Sequence, residues 1–92
     1  MIGFEWDPRK AATNLRKHHV SFVEATAGAD PLASVYEDPD HSIAERRFLT
    51  IGTSAKGRLI HVAFADRGGR IRIINARPVT RSERELYEKE KR

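Results

Sequence analysis

Apolar residues follow two different rhythms along this chain, and the change of rhythm divides it. Phe4 to Trp6 reads as a short strand, and Asp7-Pro8 then starts a helix, with Asp7 as N-cap and Pro8 at the first helical position, where its missing N–H costs nothing. Ala11, Leu15 and His18 fall at i, i+4 and i+7, a thin apolar stripe opposite Arg9, Lys10, Arg16 and Lys17. Ser21-Phe22-Val23-Glu24 has the spacing of a capping box, in which Ser21 and Glu24 satisfy each other's backbone N–H groups, so a second helix is expected to about Ala29, ended by Asp30-Pro31. From Ala33 the text turns to β-branched and aromatic residues broken by turns: Ser34 to Glu37, Arg46 to Thr53, Arg58 to Asp66 and Arg70 to Ala76. Ser54-Ala55-Lys56-Gly57 and Arg67-Gly68-Gly69 are short enough for hairpins, so the last three strands should form an antiparallel meander. Thr80-Arg81-Ser82-Glu83 offers a second capping box, opening a charged helix with Arg84/Glu88, Glu85/Lys89 and Glu88/Arg92 four apart. The order β-α-α-β-β-β-β-α, with helices segregated from antiparallel strands, predicts an α+β fold in two layers.

At 92 residues the chain is long enough for one domain, 1–92, with one modest core. Seventeen Lys and Arg stand against 13 Asp and Glu, a net charge of +4, which favours a polyanion or an acidic protein as partner. There is no cysteine, so disulfides, thiolate zinc sites and cysteine catalysis are excluded, in keeping with a reducing cytoplasm. The longest apolar run, Leu59 to Ala65, is interrupted by His61 and too short to span a bilayer, and the first residues lack the pattern of a signal peptide, so no membrane partner is expected.

Candidate chemistry rests on Arg, Lys, His and Glu. Metal binding has little support, since the acidic cluster Glu37-Asp38-Pro39-Asp40 is interrupted by proline, and Arg67-Gly68-Gly69-Arg70 reads as a hairpin rather than a phosphate loop; no metal and no cofactor are expected. Lys17-His18 closes the first helix, where the helix dipole favours a cation whatever else it does. His61 shares a strand face with Leu59, Ala63 and Ala65 and reads as a satisfied, half-buried group. Glu45 and Arg47 point the same way at a strand end, as a base beside a phosphate clamp or equally as a surface ion pair. In the last strand strict alternation puts Ile71, Ile73, Asn75 and Arg77 on one face and Arg70, Arg72, Ile74 and Ala76 on the other. Arg77 precedes Pro78, which cannot donate to a ladder, so pairing should stop there and the side chain reach over the sheet edge. It is the best single candidate for a phosphate ligand by geometry, although an arginine bonding nearby carbonyls would look the same. Trp6, immediately before the helix cap, reads as a packing residue.

Together these residues form a pattern. Phe4-Glu5-Trp6-Asp7-Pro8, Lys10, Asn14, Lys17-His18, Val20-Ser21-Phe22 and Glu24-Ala25 resemble the opening of a BrnT-type toxin; Glu45, Arg47-Phe48, Gly52, Arg67-Gly68, Ile71-Arg72-Ile73-Ile74, Ala76-Arg77-Pro78, Thr80, Glu83-Arg84 and Tyr87-Glu88 continue it over nearly the whole chain. The resemblance implies a RelE-like fold and a metal-independent endoribonuclease that blocks translation. It also implies a BrnA-like antitoxin partner with a ribbon-helix-helix part, the two binding their promoter DNA together as a hetero-oligomer. Carried over position by position, it implies Arg77 and Arg47 as phosphate and transition-state ligands, Glu45 or His18 as proton handler, and Lys17, Arg67 and Arg72 as RNA contacts, with Thr80 and Glu83 also matching. Two positions depart from the family: His19 stands where it usually has a helix-ending Gly, which predicts a small strain, and Asn75 replaces a common small residue. The competing readings are a non-catalytic RNA- or DNA-binding module and a structural subunit of a regulatory complex.

Overall fold

The change of rhythm falls where the sequence puts it. The computed structural model describes residues 3–28, 35–37 and 46–90, so the expected helix stop at Asp30-Pro31, Glu45, residues 38–44 and Arg92 lie outside the described residues. The elements are β1 (Gly3–Glu5), α1 (Pro8–His18), α2 (Phe22–Gly28), β2 (Val35–Glu37), β3 (Arg47–Thr53), β4 (Leu59–Arg67), β5 (Arg70–Pro78) and α3 (Arg81–Glu90). The five strands form one sheet in the order β1-β5-β4-β3-β2. β2 to β5 pair antiparallel, whereas β1 lies parallel to β5, because α1, α2 and the meander come between them in the chain. Gly68 and Gly69 have φ of 60° and 86° at the β4–β5 turn, the left-handed pair that a two-residue hairpin needs.

α1 and α2 cover one face of the sheet, making the α+β layers expected. Val20, Phe22 and Ala25 from the helical side meet Ile60, Val62, Phe64, Ile71, Ile73 and Ala76 from β4 and β5 in one buried cluster. Trp6 packs edge-on against Phe22, with ring centroids 6.1 Å apart, which fastens the start of α1 to this core. Gly52 lets α2 come close to β3: a Cβ there would stand 2.8 Å from the carbonyl oxygen of Gly28.

The buried face of α1 departs from the apolar stripe. Leu15 is 49% exposed, and Asn14 is the residue that turns inward, 5% exposed. β1 pairs only with Arg70, Ile71 and Arg72, so the outer edge of β5 beyond them has no neighbouring strand among the described residues. Asn14 fills that place: its Nδ2 donates to the carbonyl of Ala76 at 2.7 Å and its Oδ1 accepts from the Ala76 N–H at 3.1 Å, as a paired strand would do. The second Nδ2 hydrogen goes to the Val20 carbonyl at 2.9 Å, and Asn75 Nδ2 donates to Oδ1 at 3.2 Å.

Strict alternation also fails in β5. Ala63 lies opposite Asn75 but Phe64 lies opposite Ile73, so Ile74 is an extra, bulged residue. The bulge reverses the alternation beyond it, placing Ala76 in the core with Ile71 and Ile73, and Arg77 on the same face as Arg72. Nor does pairing stop at Arg77, which lies within the ladder opposite His61, with Pro78 opposite Ile60.

The first capping box forms only in part. The Glu24 N–H bonds Ser21 Oγ at 3.0 Å, but the carboxylate turns inward to Ser54 Oγ at 2.7 Å and to Arg58 Nε and Nη2, both at 2.6 Å. Arg58 also donates to the carbonyl of His19, which carries φ 57° as C-cap of α1. One buried carboxylate therefore joins α2, the β3–β4 turn and the end of α1. The Arg58 hydrogen bonds hold Glu24 down to about 2 against the raising effect of burial, with Ser54 and the Arg58 charge adding to the shift.

Both polar anchors bear on stability. Asn14→Leu should cost about 2–4 kcal/mol in urea unfolding, since it leaves the Val20 carbonyl and both backbone groups of Ala76 without partners; a loss under ~0.5 kcal/mol would rule out the strand-substitute role. Because Glu24 titrates near 2 when folded and near 4.5 when free, the unfolded chain takes up the proton first as pH falls. The stabilisation is complete above about 4.5 and fades toward about 2, so the midpoints of Glu24→Gln and wild type should differ most at neutral pH and converge across that window.

Candidate functional site

The sheet face turned away from α1 and α2 carries half-buried residues, among them Leu49 and Ile51 of β3, Leu59, His61 and Ala63 of β4, and the arginines Arg47, Arg72 and Arg77. The bulge in β5 brings both Arg72 and Arg77 onto it. The two arginines then mark separate stations. Arg72 and Arg47 both flank Ala65, one on each neighbouring strand, so their Cα atoms are about 10 Å apart. His61, the cross-strand neighbour of Arg77, is four residues along β4 from Ala65, about 13 Å away.

At the Arg77 station the guanidinium grips Glu83 with both ends of its fork, Nη1 to Oε1 at 2.7 Å and Nη2 to Oε2 at 2.8 Å, and Nη1 also reaches the Pro78 carbonyl at 3.2 Å. Glu83 belongs to the second capping box, which forms completely: the Thr80 N–H donates to Glu83 Oε1 at 2.9 Å, and the Glu83 N–H to Thr80 Oγ1 at 3.1 Å. The same carboxylate thus caps α3 and holds Arg77. The Arg77 hydrogen bonds keep it down to about 2, with burial opposing and the Thr80 N–H and the charges of Arg77 and His61 adding to the shift; Arg77 in turn is held above its ordinary value by Glu83. With 30% of the Arg77 side chain and 26% of Glu83 exposed, the pair remains open to an incoming ligand.

At the other station Arg72 Nη1 donates to Glu5 Oε2 at 3.0 Å, and Arg70 Nε lies 3.7 Å from Glu5 Oε1. Arg67 ends β4 and is exposed. Lys17 and His18 do not join Arg77: they stand on α1, on the helical side of the sheet, along a cleft of about 290 Å³ between that helix and β5. Glu45 lies outside the described residues. His61 is the residue that the pattern undervalued. Its place on the Leu59–Ala63 face is as expected, but its neighbour Arg77 is visible only once the bulge sets the register.

A sequence model of the family described as ribonuclease toxin, BrnT, of type II toxin-antitoxin system matches residues 6–83. Among solved structures the chain is similar to the Brucella abortus ribonuclease toxin BrnT, whose crystal structure was determined at 1.1 Å resolution. The two are 23% identical over 88% of this chain and 100% of that one, with a TM-score of 0.65, a likeness of fold. No curated protein matches the chain.

Glu83 has two roles that substitution can separate. Gln at this position still closes a capping box but loses the charge on Arg77, whereas Ala loses both. Hydrogen exchange in the first turn of α3 should therefore be faster in Glu83→Ala than in Glu83→Gln by a protection difference of about 1 kcal/mol. Equal protection in the two variants would show that the carboxylate does not cap the helix.

Proposed function

The chain belongs to the BrnT family of ribonuclease toxins of type II toxin–antitoxin systems, and on that premise we propose that it is an endoribonuclease that cuts RNA without a metal ion and so arrests translation and growth. The observation that carries this reading is the way Arg77 is held. Glu83 occupies the Nη1/Nη2 end of the guanidinium. The Nε–H and the second Nη2 hydrogen, which point along the adjacent edge, have no partner among the described residues. Two parallel donors on a fixed plane match two non-bridging oxygens of a phosphodiester.

Metal-independent cleavage needs a base for the 2′-hydroxyl proton, donors for the charge on the crowded phosphate and an acid for the leaving oxygen. The 2′-oxygen attacks the adjacent phosphorus, the bond to the 5′-oxygen breaks, and the products are a 2′,3′-cyclic phosphate and a 5′-hydroxyl. Arg77 is the charge-stabilising donor in this scheme, and Glu83 is a positioning residue that fixes its plane. His61, directly across the ladder from Arg77, is the proton handler, because an imidazole can take and return a proton near neutral pH. The scheme thus moves that role from Glu45 or His18 to His61. Arg47, Arg72 and Arg67 meet phosphates of the same strand farther along the sheet.

As a toxin of such a system the protein has an antitoxin partner. The finer part of the proposal is that residues 1–92 act as a single RelE-like toxin domain in the cytoplasm. Its partner is BrnA-like, with a ribbon-helix-helix part that takes the hetero-oligomer to promoter DNA, and it silences the toxin by laying acidic residues over the cationic sheet face.

Purified, antitoxin-free protein in EDTA should cut mixed RNA and leave a matched substrate with 2′-deoxy at the mapped sites intact. Arg77→Ala should lower the rate about 10²–10³-fold with the fold retained, and His61→Gln should lower it about 10²–10⁴-fold. Intact RNA with salt-sensitive binding would replace this reading with a binding module.

A further inference from the structure

α1 presents a second cationic surface, away from Arg77. Arg9, Lys10, Thr13, Lys17 and His18 line the cleft of about 290 Å³ from the helix, and Ile74 and Asn75 close it from the bulged part of β5. All of these helical residues are exposed except His18, which is half-buried. Their charges differ from those of the arginines that carboxylates hold. Arg58, Arg70, Arg72, Arg77, Arg81 and Arg84 each stand within salt-bridge distance of a carboxylate, whereas Arg9, Lys10 and Lys17 have no such partner among the described residues.

The spacing favours an extended polyanion over a small one. Lys10 and Lys17 are seven residues apart, two turns of helix or about 10.5 Å, so their ammonium groups are strung along the cleft and do not converge on one point. A single-stranded nucleic acid, with a charge at every phosphate, matches such a row. The opposite wall can also meet a base: Asn75 gives one amide hydrogen to Asn14 and keeps its carbonyl and its other N–H uncommitted among the described residues.

We propose that the α1–β5 cleft is a phosphodiester-binding track for single-stranded RNA, with Lys10 and Lys17 on successive phosphates and Asn75 at a base edge. The proposal rests on the reading of the chain as an RNA-cutting toxin. It adds to that reading a binding surface on the helical side of the sheet, separate from the station where the bond is broken. The bulge that turns Arg77 to the opposite face also sets Ile74 and Asn75 against α1, so one irregularity of β5 shapes both surfaces.

The test measures binding of a 2′-O-methyl RNA oligomer of about a dozen nucleotides, which cannot be cut, to the full chain over a range of salt. The double variant Lys10→Ala, Lys17→Ala keeps helix propensity and should fold. Two lost phosphate contacts should make the salt slope shallower by about 1.4 and weaken binding about 25-fold near 0.1 M salt, while Lys89→Ala on α3 changes neither. Wild type that binds with the same slope as the double variant would overturn the cleft and leave the ribonuclease reading standing. Wild type that neither binds nor cuts RNA would overturn both. A double variant that binds RNA normally but escapes neutralisation by the antitoxin would assign the cleft to the protein partner, and so also overturn the proposal.

Discussion

Asn14 sets its side-chain amide against the backbone of Ala76 as a neighbouring strand would, and the layout of the molecule depends on that contact. β1 is too short to protect the whole outer edge of β5, and an edge left open in the core would hold an unpaired N–H and C=O at a cost of about 1–3 kcal/mol each. The amide supplies donor and acceptor together, which neither a carboxylate nor an aliphatic side chain can do. With α1 tied to β5 in this way and its last turn tied to α2 through Glu24 and Arg58, the helices have one place to lie. The other face of the sheet carries the arginines and His61 among half-buried apolar residues.

Much of this was legible from sequence and some was not, and the division is physical. Helix starts and hairpins depend on residues within a few positions of each other, so Asp7-Pro8, Gly68-Gly69 and Thr80-Glu83 announced themselves, whereas the place of β1 beside β5 did not. Asn14 reaches a partner 62 residues away, and no local rule shows that a polar residue will replace Leu15 on the buried side of α1. Ser21/Glu24 and Thr80/Glu83 have the same spacing yet behave differently. Glu24 is buried where Ser54 and Arg58 can reach it, whereas Glu83 is close enough to the start of α3 to serve cap and arginine together. The bulge was invisible for a related reason. Ile71, Ile73 and Ile74 are all apolar and can face the core in more than one register, so the pattern did not reveal which isoleucine is extra. Arg77 was legible as a candidate, but its company was not.

The ion pair between Arg77 and Glu83 looks at first like an argument against Arg77 as a phosphate ligand, since a paired charge is a weaker attractor. Its geometry argues the other way. A long arginine side chain loses rotamer entropy when it binds an anion, and Glu83 has already removed much of that freedom by fixing the guanidinium plane. Glu83 takes the end of the fork and leaves the side edge, so a phosphate does not have to displace it. In crowded-phosphate chemistry the useful charge is the one already oriented toward the oxygens where charge will accumulate. Arg9, Lys10 and Lys17, with no carboxylate beside them among the described residues, suit the opposite role. Long exposed cations can hold a strand without fixing it, and they give up little entropy because they keep their rotamer freedom. The two surfaces therefore carry two kinds of positive charge, the paired Arg72 and Arg77 on the sheet face and the unclamped Arg9, Lys10 and Lys17 along α1. Their separation follows from the single extra residue in β5.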